Sequence, residues 1–371
     1  MINTTYYQDL TKMNTFGMKV KARCFMEYDS VADLVDIEFE ELARPVLHIG
    51  GGSNLLFTDD FKGTVLHSKI NFIEILEDCT PSRHCEERSD VAICPNVLVS
   101  VGAGVVFDDF CAWAAKEGLW GVENLSYIPG EVGASAVQNI GAYGVEVKDV
   151  IRKVYCYDTV EEEFVNFGVE ECEYGYRDSI FKDPEFRGRY IVTHVVFALS
   201  RTPQPRLEYG HLRDAVMASS ARHCEEGQSP DVAIFTPSMI RKVIIKLRKE
   251  KLPEPSVMGS AGSFFKNPVI SAEHFARIEA AAKSELSAEY KVPHYDLPDG
   301  TVKVPAAWMI EQCGWKGRRS GGAAVYDKQP LVIVNYTGDA YPEEIIGLER
   351  RIIASVKAKF GVELHPEVDH I

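Results

Sequence analysis

The chain has 371 residues, 46% of them hydrophobic, a formal net charge of −15 and a sequence pI near 5.2. That length supports a large core divided among roughly two or three domains. The acidic balance excludes a nucleic-acid binder, which needs a basic footprint, and fits a cytoplasmic enzyme that acts on a small molecule.

The opening Met1-Ile2-Asn3-Thr4-Thr5-Tyr6 has neither the basic nor the apolar stretch of a secretory signal, and no apolar run is long enough to span a bilayer. No membrane association is expected. The nine cysteines are odd in number and never spaced Cys-x-x-Cys, which predicts reduced thiols without disulfides or zinc.

In chain order, Pro45-Val46-Leu47-His48-Ile49 is an apolar run that stops at three glycines, the pattern of a buried strand entering a tight turn. Asn96 to Gly104 reads the same way. From Phe107 to Glu117, Phe107, Phe110, Cys111 and Ala114 fall at helical spacing, with Gly118 placed to end the helix. Tyr190 to Leu199 is β-branched and aromatic, a strand. Met239 to Lys251 and Pro342 to Phe360 read as amphipathic helices. The class is α+β.

One segment occurs twice. Ser82-Arg83-His84-Cys85-Glu86-Glu87-Arg88-Ser89-Asp90-Val91-Ala92-Ile93 returns as Ser220-Ala221-Arg222-His223-Cys224-Glu225-Glu226 and then Asp231-Val232-Ala233-Ile234. Two copies this far apart make no solenoid. They read as translated copies of a mobile DNA repeat set in two surface loops, where added length costs little. A metal site built from both copies is the rival reading.

Dinucleotide-binding and P-loop glycine patterns are absent. Two other glycine segments stand out: Gly50-Gly51-Gly52-Ser53-Asn54, and Ile128-Pro129-Gly130-Glu131-Val132-Gly133-Ala134-Ser135 running into Gln138-Asn139-Ile140-Gly141-Ala142-Tyr143-Gly144. Glycine lets backbone N–H groups approach a diphosphate, and the small Ala134 and Ser135 leave room for a flat ring. Either segment alone reads equally as an ordinary turn.

Taken with Tyr176-Arg177-Asp178-Ser179-Ile180-Phe181-Lys182, with Gly259-Ser260-Ala261-Gly262-Ser263-Phe264-Phe265-Lys266-Asn267-Pro268, and with the terminal His365-Pro366-Glu367-Val368-Asp369-His370, these segments give a chain that resembles the UDP-N-acetylenolpyruvoylglucosamine reductases from Asn14 to Ile371, the two insertions aside. The resemblance implies three domains. Residues 1–70 with 357–371, and residues 71–247 with the insertions near 82–93 and 221–234, would form an FAD-binding unit of the flavin oxidase (PCMH-like) type. Residues 248–356 would form an α+β substrate domain. Gly50, Gly51, Gly52, Ser53, Asn54, Pro129, Gly130, Gly133, Ala134, Ser135, Asn139, Gly141, Ala142 and Gly144 would hold FAD. Ser53, where some relatives of the fold carry a covalently linked His, implies non-covalent flavin.

The family's reaction is implied in the same way. NADPH reduces FAD, hydride then passes to C3 of the enolpyruvyl group of UDP-N-acetylglucosamine enolpyruvate, and a proton reaches C2. Ser263 matches the proton donor, and Arg177 with Glu367 the pair that polarises the substrate carboxylate. Without the resemblance, Ser263 reads as a turn serine, Arg177 as a surface or ion-pair arginine and Glu367 as solvated. Lys251, before Leu252-Pro253, matches a diphosphate contact. Asn267 and Gln312 match other substrate contacts, and Tyr209 a loop tyrosine that covers the nucleotide. No metal is implied, and a monomer is expected. The rival readings are a flavin oxidase with another substrate and a non-catalytic flavin-binding protein.

Overall fold

The computed structural model describes residues 1–78, 97–220 and 235–371. The two insertions, near 82–93 and 221–234, lie outside the described residues. The chain divides into two compact units: residues 1–8, 22–51 and 62–248 form the first, and residues 9–21, 52–61 and 249–371 the second.

The first unit is built on an antiparallel five-stranded sheet in the order Glu163–Gly168, Ile151–Asp158, Tyr190–Leu199, Val97–Gly102, Ile73–Asp78. Tyr190–Leu199 is central and buried along most of its length, which explains why its sequence is a continuous β-branched run without alternation. The helix Phe107–Lys116 lays Phe107, Phe110, Cys111 and Ala114 into the same core, with the Phe110 and Phe197 ring centroids 4.6 Å apart. Gly118, at φ +71°, ends that helix as expected.

A second sheet in this unit runs Ile2–Asp9, Lys21–Tyr28, Phe61–Ser68, Val46–Ile49. Val46–Ile49 lies parallel to Phe61–Ser68, with Ile49 opposite His67. That register delivers Gly50 and Gly51 beside the end of the neighbouring strand. The helix Pro237–Lys251 starts two residues before the expected Met239 and buries Ile240, Val243 and Ile244 against Trp120, Leu207, Leu212 and Val216. Leu212 and Val216 belong to a helix, Leu212–Ser220, that the sequence pattern does not single out.

The second unit holds a four-stranded sheet, Gly259–Ser260, Ile333–Asn335, Ala323–Val325, Arg319–Ser320, and a three-stranded one, Val269–Ser271, Thr301–Lys303, Tyr295–Asp296. Its helices are Ala272–Glu285, Ala306–Gln312 and Pro342–Phe360. The last has the bounds expected from sequence. Ile345, Leu348, Ile352 and Val356 form its buried stripe. Glu344 satisfies the N–H groups of Tyr341 and Gly322 at its start, and Gly361 ends it at φ +68°. After Gly361 the chain returns so that Asp369–His370 pairs parallel with Leu55–Leu56. There His370 Nε2 lies 3.2 Å from the buried Glu349 carboxylate.

Among the described residues Cys24, Cys111, Cys156, Cys172 and Cys313 are free, no group of three His, Cys, Asp or Glu side chains could hold a metal ion, and no helix is long and apolar enough to cross a membrane.

Phe197 is fully buried in the centre of the five-stranded sheet. Phe197→Ala is therefore expected to cost about 3–5 kcal/mol of stability, read as a lower denaturation midpoint in urea with the slope unchanged. A loss under about 1 kcal/mol would mean that the site collapses to fill the cavity.

Candidate active site

In the first unit the two glycine segments meet. A side chain at Gly51 would stand 3.2 Å from the Gly130 Cα, and one at Gly50 would stand 3.0 Å from the Ala134 Cβ. Main chain thus packs on main chain at a spacing that a side chain would crowd and glycine does not. The second segment is not a loop throughout, as its glycines suggested. Val132–Gln138 is a short helix, so Gly133, Ala134 and Ser135 occupy its first turns. Gly133 and Ser135 are buried there because Gly133 packs on Ala103 of the adjacent strand edge. The helix ends at Asn139, which adopts the left-handed conformation at φ 43°.

Asn139 organises the stretch from Gly141 to Lys148 and the Arg177 turn around itself. It is fully buried. Its side-chain amide donates to the Gly175 carbonyl at 2.7 Å and to Glu146 at 3.2 Å, and its side-chain oxygen accepts from the Lys148 N–H at 3.3 Å. Arg177, itself left-handed at φ 56°, donates to the carbonyls of Asn139 at 3.2 Å and Gly141 at 2.6 Å. Lys182 donates to Gln138 at 2.8 Å, and Ser179 to the Val137 carbonyl at 2.6 Å. Tyr209 lies against the end of the same segment, with its Cβ 3.4 Å from where a side chain at Gly144 would begin and its ring edge-on to Tyr143 at 6.0 Å. Arg177, Tyr209 and the second glycine segment are therefore one assembly.

Helix Pro237–Lys251 adds two arginines from its basic run. Asp108 binds the Arg241 guanidinium through both oxygens and accepts the Tyr127 N–H. Arg248 donates to the Tyr127 carbonyl at 3.1 Å. Tyr127, left-handed at φ 63°, is thus gripped from both sides immediately before Ile128-Pro129-Gly130. Desolvation would raise the Asp108 carboxyl, but the bonds from Arg241 and Tyr127 outweigh it and hold it below its ordinary value. Burial pushes Arg248 the other way, below the usual guanidinium range. Lys251 is the exposed last residue of this helix, on the same face as Arg248 one turn earlier. A visible signal for Arg248 was its i−3 spacing from Lys251.

In the second unit the tail pairs with the Ser263 segment. Phe265 and Pro366 form an antiparallel bridge, the Glu367 N–H donates to the Phe264 carbonyl at 2.8 Å and the Lys266 N–H to the His365 carbonyl at 2.9 Å. Asn54 closes the arrangement: its side chain donates to the Glu367 carbonyl at 3.0 Å and its own carbonyl accepts from Asp369 at 2.9 Å. Gly52, at φ +60°, backs onto Met13, whose carbonyl oxygen would lie 1.9 Å from an added Cβ. Asn54, Glu367 and Phe264, the residue after Ser263, apart by up to 313 residues in sequence, are thus joined through backbone groups. Asn267 accepts the first N–H of helix Ala306–Gln312 at 2.9 Å, while Gln312 is its last residue. The two lie at opposite ends, about 9 Å along the axis.

One polar cluster had no sequence signal. His67, with its side chain 5% exposed, lies 2.9 Å from Glu27 through Nδ1 and 3.0 Å from Glu131 through Nε2. Glu131 is in the second glycine segment.

The bare backbone of the two glycine segments, the small Ala134 and Ser135, and the cations Arg177 and Lys182 fixed beside Gln138–Gly141 fit a diphosphate carrying a flat ring. Residues 23–165 match the family described as FAD binding domain, and residues 254–371 match UDP-N-acetylenolpyruvoylglucosamine reductase, C-terminal domain. The fold and site are those of an FAD-dependent oxidoreductase. The curated UDP-N-acetylenolpyruvoylglucosamine reductase of Bacteroides fragilis (strain YCH46) is 48% identical over 98% of each chain. Those of Porphyromonas gingivalis (strain ATCC 33277) and Neisseria meningitidis serogroup A are 44% and 43% identical over 98% of this chain and 97% and 96% of theirs. The crystal structure of the Thermus caldophilus reductase has the same fold, with a TM-score of 0.62 at 21% identity over 100% of this chain and 98% of that one. The chain belongs to the UDP-N-acetylenolpyruvoylglucosamine reductase family.

Asn139→Ala removes three side-chain hydrogen bonds and leaves a Cβ-bearing residue without the asparagine tolerance for left-handed backbone. The expected loss is about 2–4 kcal/mol of stability, measured by urea denaturation. Arg177 should loosen with it. Unchanged stability would show that Arg177 and the glycine segment are held by other contacts.

Proposed function

We propose that this chain reduces UDP-N-acetylglucosamine enolpyruvate to UDP-N-acetylmuramate, in the synthesis of peptidoglycan precursors, with NADPH as electron donor and non-covalently bound FAD. The observation that carries the reading is the 48% identity to a curated reductase across nearly the whole chain. The enzyme would work in the cytoplasm, as a monomer.

Once bound and reduced by NADPH, FAD would supply the hydride that reaches C3 of the enolpyruvyl group. Gly50 to Asn54, Pro129, Gly130, Gly133 to Ser135, Asn139, Gly141, Ala142 and Gly144 would hold it. This chain's side chains must then stabilise charge on the substrate carboxylate and place a proton on C2. Arg177 suits the first task, because a planar guanidinium pairs with a carboxylate and keeps its charge. Its left-handed backbone and its bonds to the Asn139 and Gly141 carbonyls fix its direction before substrate arrives, so less ordering remains to be done on binding.

Ser263 would deliver the proton. A serine hydroxyl is a weak acid, but the carbanion it meets is strongly basic, so transfer is downhill once the geometry is fixed. Gly262, at φ +70° with no atom within 4 Å of its Cβ position, sets the turn that presents it. Glu367 polarises the same carboxylate, which requires an intervening proton or cation. Lys251 would bind the diphosphate, Tyr209 would cover the nucleotide, and Asn267 and Gln312 would make further substrate contacts. A cationic anchor is needed because a chain of net charge −15 otherwise repels an anionic nucleotide.

Ser263→Ala is the direct test. Reduction of the flavin by NADPH should keep its rate, and reoxidation by the enolpyruvyl substrate should slow by about a hundredfold or more, both followed by rapid-mixing absorbance. Equal slowing of the two halves would assign Ser263 to the flavin pocket instead of to proton transfer. Acid precipitation should leave FAD in the supernatant, since Ser53 stands where a linking histidine would be. Flavin retained on the polypeptide would overturn non-covalent binding.

A further inference from the structure

We propose that His67 is a positioning residue for cofactor binding: held between Glu27 and Glu131, it fixes and neutralises the Glu131 carboxylate beside the glycine contact and so sets the affinity for a diphosphate cofactor. The proposal rests on the reading of this site as one for FAD.

Glu131 raises the question. It sits directly after Gly130, and one carboxylate oxygen is 3.3 Å from the position of a Gly50 Cβ. A carboxylate in a segment that receives a diphosphate adds repulsion. The ordinary reason for an acidic residue before a helix is to cap it, yet Glu131 makes no side-chain capping bond. Of the N–H groups it could serve, that of Gly133 already donates to the Ala103 carbonyl at 2.9 Å, as the Val132 N–H before it does to the Val105 carbonyl at 2.9 Å. Its carboxylate turns to His67 instead.

His67 is suited to hold it. Its other ring nitrogen is bonded to Glu27 on the neighbouring strand, so the ring cannot swing away and both nitrogens face acceptors, as an imidazolium requires. Desolvation lowers the tendency of His67 to carry a proton, but the bonds to Glu131 and Glu27 outweigh it and raise it above its ordinary value. The other titratable groups facing it stay neutral. Desolvation pushes His48, on strand Val46–Ile49, down to about 3, and its ring is bonded to the Tyr28 hydroxyl at 2.6 Å. Burial pushes the Tyr28 phenol up. The Phe25 ring, 6.2 Å away, closes one side.

An imidazolium with a raised value persists to higher pH than a free one and is lost as pH rises through that value. Loss of the charge leaves two carboxylates without a cation between them, and the diphosphate is then opposed. Affinity for the cofactor therefore falls as pH rises.

The experiment uses full-length holoenzyme and FAD as the probe, with dissociation followed on serial dilution by recovery of flavin fluorescence. For the unsubstituted protein the dissociation constant should rise about tenfold between about pH 6.5 and about pH 9, the equivalent of one pH unit of coupling. His67→Gln should bind about tenfold more weakly at the lower pH and lose the pH slope. Adding Glu131→Gln to it should bring affinity back to within about threefold of the unsubstituted protein. Glu131→Gln alone should bind tightly at both pH values. If H67Q binds with the original affinity and slope, or if the double substitution binds no better than H67Q, the proposal is overturned. Circular dichroism checks folding. Should H67Q not fold, E131Q decides, and a retained pH slope there overturns the proposal. Failure of the unsubstituted protein to bind FAD would count against the FAD reading itself, a result separate from any of these.

Discussion

Close approach of main chain to main chain is the constraint on which the site rests. Where Gly51 meets Gly130 and Gly52 meets Met13, the distances from an added Cβ are 3.2 and 1.9 Å. The first would crowd the facing backbone, and the second could not form without displacing it. Neither contact gains much energy by itself. Each removes side chains from a surface, so that N–H groups and small residues remain for a ligand. The surrounding elements serve that arrangement. The parallel register of Val46–Ile49 with Phe61–Ser68 brings the first segment to its place, and the packing of Val132–Gln138 against the five-stranded sheet brings the second.

Charge is distributed locally against the overall sign. A chain of net charge −15 sets Arg177 and Lys182 on the second glycine segment and Arg248 on Tyr127, immediately before it. Each is held by carbonyl acceptors or an amide oxygen, not only by carboxylates. A carbonyl fixes the direction of a guanidinium and leaves its full charge in place. A carboxylate partner would cancel it. Arg241, which is paired with Asp108, illustrates the alternative: it has become a structural tie that steadies Tyr127. Tyr127, Asn139 and Arg177, three of the left-handed residues, flank this cluster, and their strain persists because hydrogen bonds over-determine each position.

The second unit solves a different problem, that of placing a residue from the end of the chain. Free termini fray. Here the tail is pinned by the bridge of Phe265 and Pro366, by Asn54 acting through both side chain and backbone, and by His370 against Glu349. Proton-bound His370 is favoured chiefly by the Glu349 carboxylate beside it. The Glu367 backbone is thereby held through both its N–H and its carbonyl.

The sequence by itself determined the elements whose periodicity is dictated by burial. Pro342–Phe360 and Tyr190–Leu199 are legible because one face, or both, must be apolar and because Gly361 can do what other residues cannot. Arg177, Ser263 and Glu367 were named from a family resemblance, since as isolated residues they carry no distinguishing pattern. Only the tertiary structure decided that Val132–Gln138 is a helix, because seven residues that include Gly, Ser and two Val are too short a run to declare one and are held by packing. It alone placed Arg248 on Tyr127, and it alone assembled Glu27, His67 and Glu131. Those three come from a strand, its neighbour and a glycine segment, and are 40 and 64 residues apart along the chain. Local periodicity reports which way a side chain faces; it holds no information about which distant side chain will be there to meet it, because that is fixed by strand register and by the packing of the whole unit.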